Sequence, residues 1–413
     1  MNFVCCTHES ISQSSKPWWE TDSDIQLLRE YLRIPSVHPN PDYGACVKFL
    51  QQQAFHLNLP VKIFHATANK KPIVLITWEG SDLNLSSILL NSHMDVVPVY
   101  PESWLHPPFA AEIDPEGRIY ARGAQDMKSF GTGYLSAVKR LKRQGYQPKR
   151  TLHILYVPDE EIGSMDGMKA FAKTQEFRNL NIGFALDEGH VASDDTYLLF
   201  HGEKTIWQPT FTVKGQPGHG SFLLNGTAGE AFSKIIAKLV ERRQMEVEKV
   251  NRGADLGNVT SINLTKVSGG LQTNVIPEEL SVTFDIRLPP WENHDEFYHQ
   301  LEGWMSESGN IEVTFEQKEN HVPATPVDDT NPFWQPFKSA LDELNFKFTP
   351  LILSGGTDMR FLRALGIPAY GFNPMNHTPI LGHNHNEFIW ADKYLKAIEA
   401  FEKIIEKLAS FNG

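Results

Sequence analysis

Between Asp22 and Ile34 the apolar residues Ile25, Leu28 and Leu32 fall on one helical face, and Asp22 or Ser23 can cap the start. Two apolar runs follow, Pro72 to Trp78 and Ser87 to Leu90, and both predict strands. Helical spacing resumes after Asp126, with Phe130, Tyr134, Val138 and Leu141 on one stripe. Leu152 to Val157 and Ile182 to Leu186 again predict strands. Strands alternating with helices imply an α/β domain with a largely parallel sheet. Near the end, Tyr394, Leu395, Ile398, Phe401, Ile405 and Leu408 form a stripe from Asp392 to Ser410. That helix is expected to pack back onto the sheet.

The middle of the chain changes character. A strand from Trp207 to Val213 precedes a helix near Ala228 to Arg242, and strands Val259 to Val267 and Leu280 to Arg287 come next. A helix near His294 to Ser306 and a strand Ile311 to Phe315 close the set. The order βαββαβ is that of a ferredoxin-like α+β unit. It predicts an inserted domain over 202–318, within a catalytic domain made of 21–201 and 319–413. Residues 1–20 form an N-terminal extension outside both, expected to be disordered.

With 413 residues, two domains are expected on size alone. The net charge of −12 argues against nucleic acid and anionic lipid as partners. No apolar run approaches the roughly 20 residues that span a bilayer. Met1 to Lys16 lacks the basic and apolar regions of a signal peptide. The three cysteines, Cys5, Cys6 and Cys46, make no disulfide framework and fit a reducing, cytoplasmic setting. Any metal must therefore sit on histidines and carboxylates.

Such groups are concentrated after predicted strands. The clusters are His93-Met94-Asp95, Arg122-Gly123-Ala124-Gln125-Asp126, Asp159-Glu160-Glu161 and Asp187-Glu188-Gly189. A fifth, Gly382-His383-Asn384-His385-Asn386-Glu387, precedes the last helix. A single such cluster is usually a solvated turn. Ligands of open α/β sheets bind beyond the carboxyl ends of the strands, so these groups are expected to face one crevice. That many carboxylates without a cation would raise one another's pKa, and two divalent metals would resolve the conflict.

The order His-x-Asp, Arg-Gly-x-x-Asp, Glu-Glu, Asp-Glu-Gly and a late His resembles the M20 co-catalytic zinc peptidases and amidohydrolases. The likeness runs from about Ile25 to Leu408. It is strongest to members that hydrolyse N-acyl-L-amino acids. The resemblance implies two zinc ions per chain, with Asp126 between them. His93 and Glu188 would complete one site, and Glu161 and His383 the other, each zinc keeping an open position. His383 is favoured over His385 because it keeps the family's spacing of four to Glu387. Glu160 would be the general base, pointing away from its neighbour Glu161 as residues of an extended chain do. Asp95 would hold the second ring nitrogen of His93. His219, in Gly215-Gln216-Pro217-Gly218-His219-Gly220-Ser221, would stabilise the oxyanion. Asn274, Arg287, Thr357 and Arg360 match substrate-contacting positions, and arginine suits a carboxylate. The family also pairs through the inserted domain, which implies a homodimer with His219 serving the partner's site.

Two rivals stand beside this reading. A dipeptidase of the same family would use the same zinc site but must also recognise an α-amino group, for which no extra acidic motif is evident. A metal-binding scaffold without activity would have lost Glu160 or a ligand, and none is missing.

Overall fold

The computed structural model describes residues 17–413; the extension through Lys16, with Cys5 and Cys6, lies outside the described residues. Its largest element is an eight-stranded sheet. The strand order is Val61–Phe64, Ile73–Trp78, Leu152–Val157, Ser87–His93, Ile182–Asp187, Ala369–Phe372, Thr196–Glu203 and Lys347–Leu353. The central strands Leu152–Val157, Ser87–His93, Ile182–Asp187 and Ala369–Phe372 run parallel to one another. Antiparallel pairings join Ile73–Trp78 to both its neighbours and Thr196–Glu203 to Ala369–Phe372.

Both faces of this sheet are buried, which is why its strands read as continuous apolar runs. Val74, Ile76, Ile88, Leu90, Ile154 and Tyr156 enter one core cluster. Ile73, Leu75, Leu89, Leu155 and Val157 enter the other. The alternation is the period of two that a strand imposes. On the first face lie the helices Ser23–Leu32, Tyr43–Leu57, Lys128–Arg143, Trp334–Glu343 and Ala391–Ser410. Asp22 caps the first of them by accepting from the backbone N–H groups of Asp24 and Ile25. The final helix packs mainly on Lys128–Arg143 and Trp334–Glu343, so it reaches the sheet largely through other helices. Helix Lys128–Arg143 lies very close to the sheet. A Cβ on Gly131 would come within 2.6 Å of the Tyr156 ring, so only glycine fits there.

A second, four-stranded antiparallel sheet has the order Ser261–Gly269, Glu279–Leu288, Thr205–Lys214 and Ile311–Lys318. Helices Ala228–Asn251 and His294–Ser308 cover it, and Trp207, Phe211, Ile235, Leu239, Phe284, Phe297 and Leu301 form its own core. The chain order is the βαββαβ read from the sequence, with the first helix running nine residues beyond Arg242 to Asn251. The chain enters this body at Thr205 and leaves it at Lys318. The two crossings touch, since Glu319 N donates to Ile206 O at 3.0 Å. A small two-stranded antiparallel sheet pairs Gly218–His219 with Val275–Ile276.

Candidate active site

Three of the acidic and histidine clusters follow adjacent parallel strands. His93 ends Ser87–His93, Glu160 and Glu161 follow Leu152–Val157, and Glu188 follows Ile182–Asp187. The Asp126 cluster does not come from the large sheet. It follows Arg118–Tyr120, a short strand of a separate sheet that pairs with Phe388–Trp390. The tight packing of helix Lys128–Arg143 brings Asp126 to the crevice instead.

His93 Nε2 lies 2.9 Å from Asp126 Oδ1 and 3.8 Å from Glu188 Oε2. His383 Nε2 lies 3.1 Å from Asp126 Oδ2 and 3.0 Å from Glu161 Oε2. Two groups of three thus share Asp126, and within each group the donor atoms lie within 4.8 Å of one another. His383 adopts a left-handed φ of 64°. His385 stays out of the cluster and stands edge-on to Tyr100.

The electrostatics are those of a site short of positive charge. Burial, then the neighbouring Glu188, pushes the Glu160 carboxyl well above its usual range. Burial and Asp126 do the same to Glu188 and raise Glu161. Asp126 goes the other way: burial would raise it, but bonds from His383 and His93 hold it well below. His383 is pushed up to about 10 by its bonds to Asp126 and Glu161. Glu161 Oε1 is buried with no hydrogen-bond partner. A divalent cation at each group of three would satisfy that oxygen and relieve the repulsion, so the donor set fits two metal ions.

Glu160 and Glu161 lie in a 3-10 turn, Glu160–Ile162, and not in extended chain. Turn geometry separates them: Glu161 meets His383, while Glu160 Oε1 faces Arg360 Nη1 at 3.8 Å. Asp95 acts differently from the expectation. Its backbone oxygen meets His93 Nδ1 at 2.9 Å, and the nearest carboxylate oxygen is 3.8 Å away. The carboxylate instead accepts the backbone N–H groups of Glu160 and Glu161, each at 3.2 Å.

A cleft of about 590 Å³ opens over these groups, lined by both halves of the fold. Ile206, Arg287 and Gln317 come from the four-stranded side, and Glu160, Glu188, His190, Thr357, Arg360 and His383 from the other. Arg287 lines the cleft, but Asp285 already holds its fork at 2.7 and 3.0 Å. Arg360 is buried, with Nη1 donating to Thr357 O at 2.6 Å and Nε 3.4 Å from Glu319 Oε1. The Thr357 hydroxyl donates inward to Glu203 at 2.5 Å. His219 and Asn274 are exposed and do not line the cleft. His219 Nδ1 bonds the Ser221 hydroxyl in its own loop, and Asn274 O accepts from Gly220 N.

Sequence reasoning passed over the residues behind the site. Glu387 is fully buried, and its carboxylate collects Arg122 Nη1 at 2.7 Å and the backbone N–H groups of Gly123, Gln125 and Asp126. It thereby shapes the loop that presents Asp126. Its fixed distance from His383 was the signal. Asp187 and Asp358 are likewise buried, raised by that burial to about 7 and about 6, and share the amide of Asn91.

An α/β protein with candidate metal-ligand groups gathered at the ends of its strands is the class that this fold and crevice define. The family model described as Peptidase family M20/M25/M40 matches residues 89–407, and the chain belongs to that family. It is 44% identical to aminoacylase-1A of Rattus norvegicus over 94% of this chain and 95% of that protein. It is 42% identical to aminoacylase-1 of Homo sapiens over 96% and 98%. Among solved structures, it shares its fold with the M20 family metallo-carboxypeptidase Sso-CP2 of Sulfolobus solfataricus, at a TM-score of 0.71 and 21% identity over 94% of this chain and 99% of that one. The Bacillus subtilis YXEP protein, described as a dinuclear metal binding peptidase, superimposes at 0.67 with 16% identity, covering 94% and 97%.

Proposed function

We infer that this chain is an amidohydrolase that cuts N-acyl-L-amino acids into a carboxylate and a free amino acid. The carrying observation is its 40–44% identity to aminoacylase-1 proteins along nearly its whole length. A crevice with two sets of metal donors beside a buried carboxyl supports the same reading. Release of amino acid from N-acetyl-L-methionine, set against a dipeptide of the same residue, tests it. Preference for the dipeptide would overturn it.

Zinc is our assignment for the metal. Asp126 would bridge two ions, with His93 and Glu188 on one and Glu161 and His383 on the other. When bound, such a pair would polarise the substrate carbonyl and lower the pKa of a water. Glu160 accepts the proton of the attacking water and returns it to the leaving nitrogen. Asp95 keeps Glu160 and Glu161 in register through their backbone N–H groups. We assign the catalytic part to 21–201 with 319–413, and the pairing part to 202–318.

The substrate's free carboxylate is the handle that distinguishes it from other amides. Arg360 is the favoured partner, because the fork of Arg287 is already taken by Asp285. Arg360→Ala is expected to lower kcat/KM for N-acetyl-L-methionine at least about 30-fold, the equivalent of about 2 kcal/mol, and to spare its uncharged amide analogue. Arg287→Ala should show a smaller loss with the same sign. Lysine at 360 should restore little, since it lacks the planar fork. Equal losses on acid and amide would place the carboxylate elsewhere.

The chain would act as a homodimer. Strand Ser261–Gly269 is an edge of its sheet and leaves Leu264 and Val267 exposed, a surface suited to pairing with a second copy. His219 and Asn274, which have no place in their own cleft, would then reach the partner's. Mixing inactive His219→Ala with inactive Glu160→Gln should restore part of the activity once subunits exchange. Verified mixed dimers without activity would return His219 to its own chain.

A further inference from the structure

The segment between helices Ser23–Leu32 and Tyr43–Leu57 has no part in the chemistry above, yet it runs behind the turn that carries Glu160 and Glu161. It is tied to the stretch after His93. Val37 bridges Val96 in parallel, Val96 N donates to Ser36 O at 2.9 Å, and the Ser36 hydroxyl donates to Met94 O at 2.5 Å. That pairing sets His38 against Asp95. His38 Nε2 lies 2.8 Å from Asp95 Oδ2, with the His38 side chain only 8% exposed and the Asp95 side chain fully buried. This is the shortest of the three bonds to the Asp95 carboxylate. The other two come from the backbone N–H groups of Glu160 and Glu161.

The same turn is gripped one residue earlier. Asp159 sits in the left-handed region at φ 62°, a conformation that holds in a non-glycine residue only when its surroundings enforce it. Tyr43 enforces it twice, donating its hydroxyl to Asp159 Oδ1 at 2.6 Å and accepting Asp159 N at 2.9 Å. Lys71 pairs with the other carboxylate oxygen. His38, Asp95 and Asp159 together could be taken for a third metal group. The Lys71 ammonium and the donors around Asp95 already satisfy these carboxylates, so a cation there would face a like charge.

We propose that His38 is a positioning residue: by donating Nε2–H to Asp95 it fixes the carboxylate that aims Glu160 and Glu161 together. The backbone N–H of Glu160 reaches Oδ1 and that of Glu161 reaches Oδ2, both at 3.2 Å, the long end of the hydrogen-bond range. The His38 bond lands on the same Oδ2 as that of Glu161 and, at 2.8 Å, is the shorter and firmer anchor of the carboxylate. A loss of about 1 Å in the placement of a catalytic group can cost about 100-fold in rate. The proposal rests on the two-metal reading of the site given above.

Two variants isolate the donor. His38→Leu fills the space without one, and His38→Gln places an amide N–H where Nε2 stood. For His38→Leu, kcat on N-acetyl-L-methionine is expected to fall about 10- to 100-fold with KM within about 3-fold. One of its two metal ions should pass to a chelator at least about ten times faster, because Glu161 shares the same support. His38→Gln should stay within about 3-fold of wild type in kcat and in metal release. A folded His38→Leu protein with wild-type kcat and metal release overturns the proposal, and so does a Gln variant as impaired as Leu. Should Leu not fold, His38→Met fills the same space with a more adaptable chain and faces the same two outcomes. A wild-type protein that binds no metal overturns the two-metal reading and this proposal together. An active, two-metal wild type with an indifferent Leu variant overturns only His38.

Discussion

Glu160→Gln is expected to lower kcat by about 10²–10⁴-fold while leaving the metal content of the protein unchanged. The side chain is nearly isosteric, and its backbone N–H, which Asp95 holds, is untouched. What disappears is an acceptor for the proton of the attacking water. Glu160 is suited to that task because it lines the cleft beside the two groups of metal donors while its Oε1 faces Arg360 at 3.8 Å and no histidine of those groups. Glu161→Gln should behave differently. Its Oε2 meets His383 and its Oε1 has no partner, so the substitution should cost metal as well as rate. Metal analysis of both variants beside their kinetics decides the matter. Metal loss in the Glu160 variant and not in the Glu161 variant would exchange the two assignments.

Exhaustive chelation is expected to abolish activity, and added zinc to restore it. The metal-free protein should also be the less stable one. Three carboxylates crowd two histidines at the crevice, and in the absence of cations those imidazoles must counter the charge. Ligand bound to the folded state alone stabilises it by about 4 kcal/mol at a thousand times its dissociation constant. The melting temperature should therefore climb with free zinc and fall with chelator. Full activity in protein shown to be metal-free would sink the mechanism. A melting temperature indifferent to zinc would show that the crevice does not hold it.

The parts of this architecture that were legible in the sequence are those with strong local signals. Ile73–Trp78, Ser87–His93 and Leu152–Val157 are buried on both faces, so they read as unbroken apolar runs. The metal-donor motifs stand directly after such runs. Helix Tyr43–Leu57 was not read, since Gln51, Gln52 and Gln53 blur its stripe. Strand Lys347–Leu353 was also missed. It carries Pro350, which removes a backbone donor, and it lies at the edge of its sheet, where such a loss is tolerated. The braces of the site were hidden for another reason. Glu387 acts on a loop more than 260 positions away, and His38 acts through Asp95, 57 positions on. Neither lies on a periodic element; Glu387 was signalled only by its spacing of four from His383, and His38 by nothing local. The turn at Glu160 depends on Asp159 and Gly163, both left-handed, and the Tyr43 hydroxyl that holds Asp159 is distant in sequence.

The bond between Glu319 and Ile206 has a geometric consequence. The two chain crossings lie side by side, and the turn Leu256–Asn258 also packs on strand Lys347–Leu353 of the large sheet. Ile206, Arg287 and Gln317 move with the four-stranded body, while Glu188, Arg360 and His383 stay with the large sheet. The width of the cleft therefore depends on how these two bodies sit against each other. Arg287 thus takes its distance from the strand-end carboxylates from the packing of one body on the other, whereas Arg360, paired with Glu319 beside the seam, takes its place from the large sheet alone.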